Sequence, residues 1–252
     1  MLSERTYFDI RDKVCFVTGA YSGIGRAICD LFLKHGAIVF EVDIKFENGK
    51  AVSKSIRNVE YGADLTKEEN VKKAVEECVK VFGRIDVVGN CAGMEMRGTV
   101  IDLPVESFDR VMTTNVRTIF LVCKFAIPVI LKSTDRGSVF NLASDLGIQP
   151  IPSVDAYAAS KGAIIALSKA MSKNWAKQGL RVNCIAPGPI ETPLLRRFFE
   201  DEKTLEFVKE FLIPAGRLGR PEEVATVAAF LSSDAASFVN GAVVTTNGGL
   251  LG

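Results

Sequence analysis

Of the 252 residues only one is a histidine, His35, and no two of the six cysteines form a C-x-x-C pair. Metal-ligand spacing is therefore absent. Cys15, Cys29, Cys78, Cys91, Cys123 and Cys184 fall mostly inside apolar runs, where a thiol acts as a small buried hydrophobe, so they are expected to be reduced and structural. There is no run of like charges and the formal net charge is only +1. Nothing could then track a phosphate backbone or an anionic bilayer, and neither nucleic acid nor membrane is expected as a partner. The opening stretch "MLSERTYFDIRDK" is charged from Glu4 and Arg5 onward, has no apolar h-region, and reads as neither signal peptide nor anchor. No apolar stretch is expected to approach membrane-spanning length. A cytoplasmic location follows as the expectation. Low-complexity linkers and internal repeats are also missing, so residues 1–252 are expected to form one domain.

What is present is ample material for a core, with 48% apolar and 24% charged residues. Short β-branched runs alternate with helical patterns. Strands are expected at Val14 to Thr18, Ala37 to Val42, Val59 to Asp64, Ile85 to Asn90, Ser138 to Ala143, Arg181 to Ala186 and Ala242 to Thr246. Helices are expected at Gly23 to Lys34, Lys67 to Phe82, Val105 to Leu131 and Val154 to Lys177, with a short one near Lys50 and one opened by Pro221. Apolar runs without alternation suit strands covered on both faces, and strand–helix–strand order implies a parallel sheet. The expected fold class is α/β, a single-domain doubly wound parallel sheet of about seven strands with helices on both faces. The irregular stretch from Gly188 to Arg220, with apolar "LLRRFF" inside it, reads as a lid over a site.

Three local patterns carry chemistry. "YAASK" sets Tyr157 and Lys161 four residues apart, hence side by side on one helical face. Alone, such a pair usually means no more than a half-buried ring beside a solvated charge. "TGAYSGIG", Thr18 to Gly25, joins the first strand to a helix, where glycines allow a tight turn and free N–H groups attract a pyrophosphate. Alone, it reads equally as a plain turn. No GK[ST] follows, which argues against a nucleoside-triphosphate loop. Asp43 closes the second strand about twenty residues on, where a carboxylate accepts from a ribose 2′-hydroxyl and repels a 2′-phosphate. That favours NAD over NADP, although Lys45 nearby could tolerate the phosphate.

With the glycine loop and "YAASK" in this order, the sequence resembles the short-chain dehydrogenase/reductase family from about Arg11 onward. "NCAG" (Asn90 to Gly93), Asn115 in "TTNVRTIF", Ser144 in "NLAS", "PGPIET" (Pro187 to Thr192) and "GRLGRPEEVA" (Gly216 to Ala225) agree. The resemblance implies that Tyr157 is the catalytic acid/base, that Lys161 holds the nicotinamide ribose and lowers the Tyr157 pKa, that Ser144 orients the substrate carbonyl, and that Asn115 organises a proton-relay water. It further implies cofactor binding by Gly19, Ser22, Gly23, Ile24 and Gly25 in the first loop, and by Asp43, Asp64 and Leu65 beside the adenosine. Asn90 and Gly93 are implied on the adenine-ribose side of the cleft and Ile190 and Thr192 at the nicotinamide carboxamide, with Ala92, Pro187 and Gly188 also implied in cofactor binding. Asp64 is read equally well as turn chemistry. One departure is "TTNGG" where the family more often has "VDGG", so that Asn247 removes a negative charge.

The expected activity is hydride transfer between NAD(H) and a secondary alcohol or ketone, medium-sized and apolar or alicyclic. The expected pocket is bounded by Met94, Glu95 and Met96, by Leu146 to Pro152, and by Leu194, Leu195, Phe198 and Phe199. Glu95 leaves a second option open, since a cleft carboxylate could bind a polyol, or it could be a solvated loop charge. A sugar (aldose) dehydrogenase, a 3-oxoacyl thioester reductase, a dehydratase or epimerase, and a non-catalytic NAD-binding protein remain alternatives. Apolar residues Ile119, Phe120, Val122, Ile164, Ile165 and Leu167 spread over more than one helix face, and the resemblance implies a homotetramer packed through those helices.

Overall fold

The computed structural model describes residues 8–199 and 201–250; the charged start of the chain and position 200 of the expected lid lie outside them. The strands are β1 (Val14–Thr18), β2 (Ile38–Asn48), β3 (Ala51–Ser55), β4 (Asn58–Gly62), β5 (Val87–Asn90), β6 (Ser138–Leu142), β7 (Arg181–Pro187) and β8 (Val243–Thr246). They form one sheet in the order β3-β4-β2-β1-β5-β6-β7-β8. Every pair is parallel except β3 with β4. The order reverses between β1 and β5, and a crevice opens beyond the carboxyl ends of the strands at that point.

Alternation along β1 divides the core. Val14 and Phe16 face the layer of α2 (Glu68–Phe82), α4 (Thr118–Ser133) and α5 (Asp155–Asn174). Cys15 and Val17 face the layer of α1 (Gly23–Lys34) and α8 (Pro221–Ser232). Both faces are thus covered, which is why the strands read as continuous apolar runs. All six cysteines are free thiols, five of them buried.

Three expectations need correction. No helix forms near Lys50. The segment is strand β3, antiparallel to β4, which brings the sheet to eight strands rather than seven. Gly49, at φ +67°, turns the chain out of β2 instead. Second, the expected long helix from Val105 is broken into α3 (Val105–Met112) and α4 by a wide π-helical turn, Thr113–Arg117. The whole run Val105–Ser133 is long and apolar enough to cross a membrane by length and composition, contrary to expectation, but half of its most apolar window is buried within this fold. Packing against the sheet accounts for that apolarity. Third, Ile119, Val122 and Ile164 are not spare surface: they lie in the chain's own core, while Phe120 remains 54% exposed.

The region Gly188 to Arg220 is not unstructured. It contains α6 (Pro193–Phe198) and α7 (Glu202–Phe207), followed by a π-helical turn, Val208–Leu212.

Candidate active site

The first strand delivers the chain to the crevice through Gly19 and Gly23, at φ +67° and +59°. The loop is compressed. A β-carbon on Gly25 would lie 2.1 Å from the Gly19 carbonyl oxygen, and one on Gly19 would lie 2.7 Å from the Ala92 nitrogen. Thr18 Oγ1 ties the two stretches together by accepting from the backbone N–H groups of Cys91 (3.1 Å) and Ala92 (3.2 Å). Ser22 caps α1 without any side-chain hydrogen bond to the helix, so the first-turn donors stay free for an anion. A pyrophosphate fits such a turn, because the first helical N–H groups are uncapped and no side chain on Gly19, Gly23 or Gly25 bars its approach.

Asp43 lies at the carboxyl end of the β2–β4 parallel ladder. Its carboxylate accepts from the backbone N–H of Tyr21 (3.2 Å) and of Lys45 (3.0 Å), which hold it beside the glycine loop. Lys45 Nζ sits 5.1 Å from the Tyr21 ring centroid. The other cation near the loop, Arg26, is committed elsewhere: its guanidinium makes two 2.6 Å bonds to the fully buried Glu41. Asp64 is used as a turn, its carboxylate accepting from Thr66 N–H (3.0 Å) and Oγ1 (2.7 Å), with Leu65 buried beside it. Asn90 points its amide into the core, donating to Asn141 Oδ1 at 2.8 Å, so its side chain braces β5 against β6.

At the other end of the crevice a cavity of about 380 Å³ is lined by Ser144, Tyr157, Lys161, Gly93 and Ile24, together with Pro187, Gly188, Ile190 and Thr192. Lys161 Nζ donates to the Leu142 carbonyl (2.8 Å) and lies 5.5 Å from the Tyr157 ring centroid. Burial depresses the Lys161 ammonium to about 8. Burial also pushes the Tyr157 phenol up, with the Glu95 charge adding to the rise and the Ser144 hydroxyl opposing it. The expected lowering of the phenol by Lys161 is therefore outweighed in this structure by desolvation of both groups. Asn115 is fully buried behind the cavity, in the π-helical turn. Its Oδ1 accepts from Met94 N–H, and its Nδ2 donates to Met94 O and to Ser160 Oγ, all within 2.9 Å. Thr192 caps α6 by accepting from Leu195 N–H.

The substrate side of the cavity is apolar, with Met94, Leu146, Leu194, Leu195, Phe198 and Phe199 on its walls. Met96, Gly147, Ile148 and Pro152, within the expected boundary, do not line it. Glu95 does, and burial raises its carboxyl to about 7 against the pull of Arg97 and Arg197. Val208, Leu212 and Leu250 also line it, although only tertiary folding brings them there. Arg97, 3.9 Å from the Phe198 ring centroid, pins α6 from the opposite rim. Asp145 was not singled out in the sequence; it follows Ser144 directly and shares the cavity.

A family model described as enoyl-(acyl carrier protein) reductase matches residues 19–251. The chain is 40% identical over 245 residues to the NAD-dependent glycerol dehydrogenase of Listeria innocua, covering 96% of this chain and 95% of that one. It is 34% identical over 244 residues to the 2,5-dichloro-2,5-cyclohexadiene-1,4-diol dehydrogenase of Sphingobium indicum, covering 96% and 98%. The solved structure of Thermoplasma acidophilum aldohexose dehydrogenase superposes with a TM-score of 0.88 at 33% identity, covering 97% of this chain and 96% of the other.

Proposed function

The chain belongs to the short-chain dehydrogenase/reductase family and is an oxidoreductase, and from that premise we propose that it transfers a hydride between NAD(H) and a secondary alcohol or ketone of medium size, apolar or alicyclic. The observation that carries this reading is the meeting of Ser144, Tyr157 and Lys161 in a cavity whose remaining walls are mostly apolar, Glu95 and Asp145 being the charged exceptions. Nicotinamide supplies the hydride chemistry when bound, and the protein positions the partners and manages the proton. Tyr157 exchanges the proton at the substrate oxygen, and Ser144 orients that oxygen. Lys161, held by the Leu142 carbonyl, stabilises the phenolate and the ribose side. Asn115 fixes the backbone at Met94 that borders the site.

Asp43 supports NAD rather than NADP. Its carboxylate, anchored beside the glycine loop by two backbone donors, would repel a 2′-phosphate, and Arg26, tied to Glu41, is not free to answer that charge. The relative from Listeria is named as NAD-dependent, which agrees. A second reading, a polyol or sugar substrate, rests on Glu95, a cavity carboxyl held near neutrality that could accept from or donate to a hydroxyl. The glycerol and aldohexose dehydrogenases among the similar proteins point the same way. A homotetramer is proposed through α3, α4 and α5, where Val105, Phe108 and Phe120 stay exposed and Ile165 and Leu167 are only partly buried. Six unpaired thiols suit a reducing compartment such as the cytoplasm.

The deciding experiment follows NAD(P)H absorbance with cyclohexanone-type ketones, diketones, acyl thioesters and aldoses under identical conditions, using both cofactors. Alicyclic ketones turned over best with NADH is the expected result. Efficient use of aldoses alone transfers the assignment to the polyol reading, and a preference for NADP(H) refutes the role of Asp43.

A further inference from the structure

Beside Ser144 stands a carboxylate that the proposed chemistry does not use. Asp145 is 4% exposed and borders the cavity. Its Oδ1 accepts from Ser144 Oγ at 3.1 Å, while Ser144 Oγ accepts from Leu146 N–H at 3.2 Å. The other oxygen, Oδ2, is buried without any hydrogen-bond partner. It presses against Gly188, whose β-carbon position would lie 2.9 Å from Oδ2 and 2.7 Å from Asn247 Cβ. The amide nitrogen of Asn247 is likewise buried without a partner.

A serine hydroxyl has one proton to give, and an ionised carboxylate can only accept. While Asp145 is ionised, the Ser144 proton is committed to Oδ1 and the Leu146 N–H occupies one lone pair, so Ser144 has nothing to donate to a reacting oxygen. Once Asp145 carries a proton, its O–H can donate to Ser144 Oγ, and the serine proton is released toward the cavity. We propose that Asp145 is a positioning residue that decides which way the Ser144 proton points, and that its protonated form is the competent one. The inference rests on Ser144 acting at the substrate oxygen as proposed above.

The surroundings agree with a carboxyl that changes state in the working range. Burial raises Asp145 to about 6, opposed by the Ser144 and Leu146 hydrogen bonds. The titratable groups that border the same cavity are Tyr157 and Lys161 on α5, Glu95 beyond β5, and Cys91, whose thiol burial pushes up to about 12 and so keeps neutral, whereas Gly188 and Asn247 bring no charge. Oxidation and reduction pass through one transition state, in which the substrate oxygen carries partial negative charge. Loss of the Ser144 donor therefore slows both directions by the same factor, about three- to tenfold for one hydrogen bond.

The test measures kcat/KM between about pH 5 and 9 with cyclohexanone and NADH, and with cyclohexanol and NAD, for the wild type and Asp145→Asn. Asparagine keeps the shape and can donate to Ser144 at every pH. The wild type is expected to lose three- to tenfold as pH rises through about 6 in both directions. Asp145→Asn should lack that step and exceed the wild type at about pH 8 by the same factor. A slower Asp145→Asn that retains the step overturns the inference, since a merely structural carboxylate would behave so. A second arm needs neither substrate nor that variant. Carbon-13 NMR of the aspartate carboxyls follows the titration of Asp145 in the wild type and in Ser144→Ala, with the shift expected upward when the serine donor is removed. An unmoved titration also overturns the inference, whereas failure of both probes with a normal NMR result overturns only the substrate reading.

Discussion

Replacing Lys161 by methionine should make the protein more stable at pH 7 while abolishing its activity. Lys161 is 5% exposed and its ammonium is held down to about 8 from 10.5, because burial costs the charged form more than its surroundings return. The difference corresponds to about 3 kcal/mol against folding with the amine protonated. Methionine keeps the length of the side chain and removes this cost, but it also removes the 2.8 Å bond to the Leu142 carbonyl, worth about 1 kcal/mol or somewhat more. A net gain of about 1–2 kcal/mol remains, which for a chain of this size raises Tm by about 2–6 °C. The pH dependence identifies the cause. A lysine whose folded pKa lies below its unfolded value carries the full cost below about pH 8, where both states bind the proton. From about 8 to 10.5 the folded amine releases its proton and the unfolded one keeps it, so wild-type stability recovers and the gap to Lys161→Met closes. Differential scanning calorimetry at pH 7 and near pH 10, beside a turnover assay, makes the comparison. A variant that melts at or below the wild-type temperature at pH 7, with no change in the gap at high pH, would refute the reasoning.

Gly25→Ala forces the Gly19 carbonyl away from a β-carbon that would otherwise lie 2.1 Å from it, so stability should fall by about 1–3 kcal/mol and NADH should bind at least tenfold more weakly in a fluorescence titration. Gly49→Ala should cost about 1 kcal/mol in chemical denaturation and leave NADH binding unchanged, because φ is +67° and no atom lies within 4 Å; were the segment helical, the same change would stabilise it. Arg26→Met strands the fully buried Glu41, and a loss of about 3 kcal/mol is expected at pH 7 in chemical denaturation.

Much of the site was legible in the chain because its signals are short-range. Tyr157 and Lys161 share a face by helical geometry alone, and the glycine loop announces a strand-to-helix turn within eight residues. Strand-length apolar runs in alternation with helices determined the layered parallel sheet, since such runs need cover on both faces. Folding alone decided everything that depends on which distant groups exclude water together. Tyr157 and Lys161 became a pair dominated by desolvation because β6, α5 and the segment after β7 close around them. Arg26 was removed from the cofactor's reach by Glu41, fifteen residues along and one strand away. Asn90 turned inward to Asn141, and the segment after β2 paired with β4 as the edge strand β3 instead of forming a helix. Asp145 gained its setting from Gly188 and Asn247, which belong to β7's exit and the end of β8. Periodicity and spacing report the backbone's local choices; proton affinities and partners follow from burial, which is a property of the packed whole.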